Sequence, residues 1–347
     1  MEKSFTGGAK RAVSRFLERK YLGLLTTISQ PQRPQGTVIF AAFSNCGFSG
    51  CGKVNSTKYL PKFCELLRGH GFRTEFVSTA KGLENEVSEA NYSIVILIYN
   101  EVAHVPNCPQ LLETLERSDV VFNHPKVGAL IGNKSAANKF FSDCGVLMPK
   151  IQIGAAATER VFSNRNSDSG AEVWLVPKGD ALDGMRYNTK FIDTRISVNN
   201  REYYTTVRLM CIGGIVTHSF VRARSVDEGN PSVHAKDTPV EGRLMNALYE
   251  MIIEPNRRAF LDLARQIADA LGPGFYSHDV LIEKTTQRVF LAESGFKFDD
   301  ATYYGRLAPI VPEIPSMKGF SSSKEAAESS IQAFLTVIDQ KQSNRGV

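Results

Sequence analysis

Residues 277–294, SHDVLIEKTTQRVFLAES, alternate apolar and polar side chains on both sides of a polar turn. That period of two is the pattern of a half-buried antiparallel hairpin. A three-residue loop at 285–287 sets Asp279 opposite Glu293, whereas a loop of two or four residues sets Asp279 opposite Ala292. Directly opposed carboxylates repel across a Cβ separation of about 5 Å. A divalent cation between them reverses the sign of that interaction, and hard oxygen ligands are what magnesium takes. Without a cation, one carboxyl is expected to hold its proton to higher pH than an isolated acid. The sequence leaves both registers open, because loop length is poorly encoded in it.

A second candidate is the run GFSGCGK at 47–53, which satisfies G-x-x-x-x-G-K after an apolar strand pattern at 37–43. This is the context of a phosphate-cradling P-loop. Position 54 is Val54, so the magnesium-binding hydroxyl is missing, and the apolar run 93–99 ends in Asn100 and Glu101 rather than an acidic metal partner. A glycine-rich turn after the first strand of a doubly wound sheet produces the same spelling, over the strand ends where α/β sheets place ligands. In that reading Asn45, at its start, is a candidate substrate contact. His218, His234 and His278 fall near the hairpins, and the loop VHAKDTP at 233–239 carries His234 and Lys236. Those two are either solvated or meet a substrate carboxylate or phosphate from a closing loop.

The elements that must hold these groups follow from the patterning. Residues 9–20 read as an exposed basic helix and 30–35, with two prolines, as a linker. Strand patterns at 37–43, 74–78, 93–99 and 119–122, with helical stretches at 60–67 and 110–117, give a doubly wound parallel sheet. A helix over 134–144 stops at Gly145 and Pro149. The polar stretch 151–193, with strands at 173–176 and 188–192, reads as a small mobile subdomain. Runs at 203–212 and 215–222 flank Gly213 and Gly214 as a hairpin. A helix over 257–271 and the hairpin 276–293 follow, and serines at 321–323 cap a last helix through Phe334 and Ile338.

With 347 residues, 42% of them apolar and 22% charged, the chain is long enough for about two packed units, and disorder or a disulfide-knot scaffold is excluded. The net charge of +5 is concentrated at the start: residues 1–20 hold six basic and two acidic side chains. A nucleic-acid surface wants its basic face on the folded domain, so nucleic acid is set aside as a partner. The six cysteines form no C-x-x-C pair, and no apolar run reaches the roughly 20 residues of a membrane span. A cytoplasmic setting with reduced thiols, and no membrane partner, is the expectation.

The order of features in the second half resembles an ATP-grasp carboxylate ligase. It runs GNKSAANKFFSDCGVLMP, a variable lid, TKFIDT, the hairpin VRLMCIGGIVTHSFVR, and HDVLIE followed by RVFLAES. The resemblance covers residues 123–310, and 37–122 match the α/β domain that precedes this fold. It implies an α/β fold in which a doubly wound N-terminal domain (37–124) follows a basic extension and linker (1–36). An ATP-grasp domain (125–320) of two α+β subdomains comes next, with a mobile lid over 151–193, and a C-terminal helix and tail (321–347) closes the chain.

By the same resemblance Lys134 is a nucleotide-phosphate lysine, although a helix-start lysine reads the same way. Lys178 is a second one projected from the lid, against the reading of a solvated lid residue, since the usual Lys-Pro order is reversed. Lys190, Phe191, Ile192 and Asp193 link lid and base beside adenine and ribose, with Lys190 where the family often has Glu. Arg222, then Arg208, stabilise the transferring phosphoryl group as planar, permanently charged donors, and Arg224 contacts substrate. The alternative is surface arginines on an amphipathic hairpin. Asp279 and Glu293 become magnesium ligands, but the family's Glu-x-Asn reads Glu293-Ser294-Gly295 here. The missing ligand leaves one weaker metal, a replacement from Asp299 or Asp300, or a degenerate enzyme. The implied activity joins a small-molecule carboxylate to an amine with ATP and Mg²⁺, with a homodimer as the candidate assembly. The alternatives are a nucleotide-binding protein without catalysis and a P-loop NTPase.

Overall fold

The fully buried strand β1 (Gly36–Ala41) lies at the centre of the first layer, where an unbroken apolar run is stable only if both faces are covered. It pairs in parallel with β2 (Phe72–Val77) and β3 (Ser93–Leu97), and β3 pairs in parallel with β4 (Val120–Phe122). The order is β2-β1-β3-β4. In this computed structural model residues 29–43, 58–165, 173–311, 314 and 322–343 are described. The basic segment 9–20, Asn45, the glycine-rich run 47–53 and Ser321 lie outside them.

Alternation along β1 sorts its side chains to two cores. Val38 and Phe40 meet helix α1 (Tyr59–Gly69) through Tyr59, Leu60 and Phe63. Ile39 and Ala41 meet α2 (Ala80–Glu89) and α3 (Pro109–Arg117) through Leu83, Val87, Leu111 and Leu115. Helices on both faces make the sheet doubly wound, as the sequence implies. The periodicity gives no sign of α2, which buries only Leu83 and Val87; Thr79 caps it by accepting the Gly82 N–H.

Two short helices, α4 (Pro125–Ile131) and α5 (Lys134–Asp143), lead out of this layer. Strands β5 (Val161–Asn164), β6 (Trp174–Val176) and β7 (Tyr187–Lys190) then form a small antiparallel sheet in the order β6-β5-β7. The sequence predicts β6 and β7 but not β5. A larger antiparallel sheet follows, with the order β10-β9-β11-β12 and β8 paired to β9. Its strands are β8 (Arg195–Val198), β9 (Arg201–Ile212), β10 (Ile215–Ser225), β11 (Phe275–Ile282) and β12 (Val289–Phe296). Helices α6 (Gly242–Leu248) and α7 (Glu254–Leu271) connect β10 to β11. The tight β9–β10 turn needs glycine at Gly213, where φ is +54° and a Cβ would lie 3.0 Å from Val337.

Helix α8 (Ala301–Leu307) and the last helix, α9 (Ser323–Ser343), complete the described elements. The sequence reads α9 as a C-terminal helix, and its apolar side chains pack into the core. Phe334 stacks on Phe122 of the parallel sheet at 5.1 Å and meets Phe63 of α1 edge-on at 5.5 Å, with Phe275 of β11 at 6.2 Å. Offset and edge-to-face aromatic contacts of this kind join the two layers into one core. Among the described residues no helix is long and apolar enough to cross a membrane.

Candidate active site

One rung of the large sheet carries the chemistry. Phe220, Arg208, Asp279 and Glu293 are direct partners across β10, β9, β11 and β12. Residues two apart on a strand share a face, so Thr206, Arg222, Ser277 and Gly295 lie on the same side as this rung. All four, with Arg208, Asp279 and Glu293, line a cleft of about 970 Å³. The opposite face buries Val207, Leu209, Val221, Val280 and Leu291 in the core. Alternation thus separates a charged floor from an apolar underside.

Asp279 faces Glu293 by a route the sequence does not suggest. The β11–β12 loop holds four residues, 284–287, because Glu283 N–H donates to Arg288 O at 3.0 Å and Ile282 pairs with Val289. That loop would place Asp279 opposite Ala292. A β-bulge instead passes over Ala292 between the pairs Val280–Leu291 and Asp279–Glu293, and the extra residue restores the opposition.

The repulsion expected between these carboxylates is corrected by the cations beside them. Arg208 grips Asp279 with Nε on Oδ1 and Nη2 on Oδ2, both at 2.7 Å, and Arg222 Nη1 lies 3.7 Å from Oδ1. Burial alone would push the Asp279 carboxyl up, but Arg208 and then Arg222 overcome it and hold the group well below the usual carboxylate range. Proton retention therefore does not arise at Asp279. Glu293 sits 3.8 Å from Nζ of Lys134. Asn133 caps α5 by accepting the Ala136 N–H, which starts the helix at Lys134 and sets that lysine, 7% exposed, in the cleft wall.

The far wall comes from the small sheet and the segment after it. Phe162, Tyr187, Thr189, Lys190, Phe191 and Ile192 line it. Lys190 is half-exposed and 3.5 Å from Glu159. Phe191 carries the Arg160 guanidinium 4.7 Å above its ring. Asp193 is not among the lining residues, because Arg195 holds its carboxylate at 2.7 to 3.1 Å. That hydrogen bonding draws the Asp193 carboxyl below its ordinary range.

His234 reaches the cleft beside Ser232, whose Oγ is 2.9 Å from its Nε2. Lys178 and Lys236 are exposed and outside the cleft lining. Arg224 is also outside it, buried against Asp237 at 3.1 Å and Glu228 at 3.5 Å, where it braces the 225–237 turn. His218 and His278 are buried away from the lining, and burial pushes each imidazole down to about 3.

One further side chain in the cleft, Lys297, escapes the sequence patterns, and Asp300, which the sequence offers only as a substitute metal ligand, takes a different place. Both line the cleft, and Asp300 Oδ2 accepts from Lys297 Nζ, Arg208 Nη1 and Arg222 Nη2, each at 3.1 Å. Asp300 is therefore committed to cations rather than free to replace the ligand missing at Gly295. The available signal is its position as an N-cap, since its side chain accepts the Tyr303 N–H at the start of α8. For magnesium the donor set is the two carboxylates Asp279 and Glu293, and Asp279 can join it only by giving up the bidentate hydrogen bonds of Arg208. Among the described residues no group of three or more His, Cys, Asp or Glu side chains is placed to hold a metal alone. Two carboxylates fit magnesium when substrate phosphates complete its shell.

No family model and no curated protein matches the chain. Solved structures do resemble it. The D-alanine–D-alanine ligase from Bacillus anthracis aligns at a TM-score of 0.47 with 10% identity, covering 88% of this chain and 99% of that one. The N5-carboxyaminoimidazole ribonucleotide synthetase from Thermotoga maritima aligns at 0.45 with 12% identity, covering 77% and 70%. A RimK domain protein, ATP-grasp, from Sphaerobacter thermophilus aligns at 0.42 with 13% identity, covering 84% and 98%.

Proposed function

We propose that this chain is an ATP-dependent ligase that joins a small-molecule carboxylate to an amine, acting in the cytoplasm. The observation that carries the reading is the convergence of Lys134, Lys190, Arg208, Arg222, Asp279 and Glu293 on one cleft. They arrive from separate elements, and each is of the type that binding and transferring phosphates requires.

In this reading the apolar wall of Phe191 and Ile192 takes the base of ATP, and Lys134 and Lys190 take its phosphates. Asp279 and Glu293 would hold Mg²⁺ together with phosphate oxygens, which would neutralise charge on the transferring group. A carboxylate oxygen of the substrate attacks the γ-phosphorus, and ADP leaves. The amine nitrogen then attacks the acyl carbon, loses a proton, and phosphate departs with the bonding pair. Arg222 and Arg208 are preorganised donors for the phosphoryl oxygens, where charge builds. The 151–193 segment acts as the lid that excludes water from the acyl phosphate.

ATP titration of two variants tests the nucleotide site. Lys134→Ala should weaken ATP about tenfold or more, while Lys53→Ala, in the rival G-x-x-x-x-G-K run, should leave affinity within twofold. The opposite ranking would assign nucleotide to the P-loop-like run. Gly295, with Asp300 committed to cations, favours a second reading, a nucleotide-binding protein that has lost catalysis. ADP and phosphate release on screening amino acids and short peptides separates the two: release supports the ligase, and ATP binding without release under any pair supports the binding protein.

A further inference from the structure

The chemistry above leaves Asp300 without a task, although its surroundings are unusually charged. Its carboxylate is 1% exposed, and Oδ2 alone accepts from Arg208 Nη1, Arg222 Nη2 and Lys297 Nζ, each at 3.1 Å. Oδ1 accepts the Tyr303 N–H at 3.3 Å, so the backbone of α8 fixes the group from behind. Three cations gathered on one oxygen repel one another, and this arrangement holds only while a buried anion stands between them.

Arg222 depends on that anion more than Arg208 does. Arg208 has its bidentate grip on Asp279, whereas Arg222 reaches Asp279 at only 3.7 Å and its hydrogen bond to a carboxylate is the one to Asp300. Arg222 is 3% exposed, lines the cleft, and has its Nε buried with no hydrogen-bond partner among the described residues. A guanidinium held through one Nη hydrogen bond keeps its other Nη hydrogens for an incoming anion.

We propose that Asp300 is a positioning residue, holding Arg222 beside Arg208 so that the remaining guanidinium donors of Arg222 receive the γ-phosphoryl group of ATP. The proposal rests on the cleft being the ATP site. It assigns Asp300 a role opposite to that of a metal ligand: the carboxylate organises cations. It also separates Asp300 from Lys134 and Lys190, which would serve ATP and ADP alike.

The test compares ATP with ADP by calorimetry in the presence of Mg²⁺. Asp300→Asn should weaken ATP at least tenfold and ADP less than threefold, and Asp300→Glu should recover at least threefold of the ATP loss. Arg222→Lys should also weaken ATP selectively, and the double variant Asp300→Asn/Arg222→Lys should be no worse than the weaker single, because both act through one guanidinium. Equal weakening of ATP and ADP, no weakening, or losses that multiply in the double variant would overturn the role of Asp300. If Asp300→Asn does not melt cooperatively, Asp300→Glu with Arg222→Lys supplies the same cycle: non-additive, ATP-selective losses support the role and multiplying losses overturn it. Wild-type protein that binds neither nucleotide would sink the ATP reading and this role with it. Wild-type protein that binds both, with an ATP/ADP ratio unmoved by Asp300→Asn, would sink only the role of Asp300.

Discussion

Asp279 and Glu293 face each other across β11 and β12 because one extra residue, Ala292, cancels the effect of a four-residue loop. Side chains alternate with a period of two, so the face that Glu293 occupies depends on how many residues between Leu291 and Glu293 pair with β11. Deleting Ala292 removes the bulge but leaves Glu293 as the next residue after Leu291, still opposite Asp279. Inserting a glycine after Ala292, with Ala292 still bulged, sets the glycine opposite Asp279 and turns Glu293 to the apolar underside opposite His278. The deletion should keep affinity for ATP with Mg²⁺ within about threefold, and the insertion should lower it more than tenfold. Calorimetric titration of both variants checks this, and equal affinities would mean that the facing of the pair has no bearing on the site.

The grip of Arg208 on Asp279 carries a stability prediction. Removing one partner of a buried ion pair leaves an uncompensated charge and costs about 3–5 kcal/mol. Asp279 keeps 20% of its side chain exposed and has Arg222 nearby, which puts the expected loss for Arg208→Met at the lower end, ~3 kcal/mol. Removing the stranded charge as well, in Arg208→Met/Asp279→Leu, should recover at least half. Urea unfolding reads both. A loss below ~1 kcal/mol for the single variant, the range of an exposed pair, would show that Asp279 finds another counter-charge.

The legible parts of this molecule are those where burial imposes a period. The unbroken apolar runs of β1 and β3 announce strands covered on both faces, and the alternation of β11 and β12 announces a hairpin with a charged face. Strand β5, VFSN, is too short to show a period, and α2 buries two side chains on an otherwise polar surface. Bulges are local, so the sequence names the right carboxylate pair for a loop of the wrong length. Lys297 and Asp300 belong to no periodic element. Their role depends on Arg208 and Arg222, which are 75 or more positions earlier in the chain, and pairwise charge contacts across such separations leave no local trace. Lys178 and Lys236 stand at suggestive places in the sequence, yet their side chains are exposed and outside the cleft wall.

The small sheet and its flanks should close over bound nucleotide. The described residues of this part contribute three short strands and bury few large apolar side chains, Val161, Tyr187 and Ile192 among them, while Ile153 and Met185 are about 90% exposed. Few buried contacts mean low local stability. Amide exchange in Val161–Asn164 and Tyr187–Lys190 should be fast without ligand and at least tenfold slower with ATP and Mg²⁺, while β9 stays protected throughout. Equal rates in both states would argue against closure.

His218 should make the protein sensitive to acid. Thr217 Oγ1 donates its hydrogen to Met210 O at 3.0 Å, so at 2.9 Å from His218 Nδ1 it can only accept. The imidazole is therefore protonated at Nδ1, and its Nε2 accepts from Tyr304 OH at 3.0 Å. Both ring nitrogens are satisfied in the neutral form. Burial pushes the group down from 6.5 to about 3, against a weaker upward pull from Asp300. As pH falls from 6.5 toward 3, the unfolded chain binds a proton that the folded chain refuses. Stability is therefore greatest above 6.5 and declines with falling pH, by at most ~1.4 kcal/mol per pH unit for this residue. His218→Gln keeps a hydrogen-bonding side chain and cannot titrate. Its unfolding free energy, measured in urea at about pH 7, 5.5 and 4.5, should fall less steeply than wild type by up to one proton's worth. His278, depressed to a similar value, contributes equally to both proteins and cancels in the comparison. Parallel slopes for the two would show that His218 binds its proton as readily in the folded as in the unfolded chain, and Nε2 would then not be the acceptor for Tyr304.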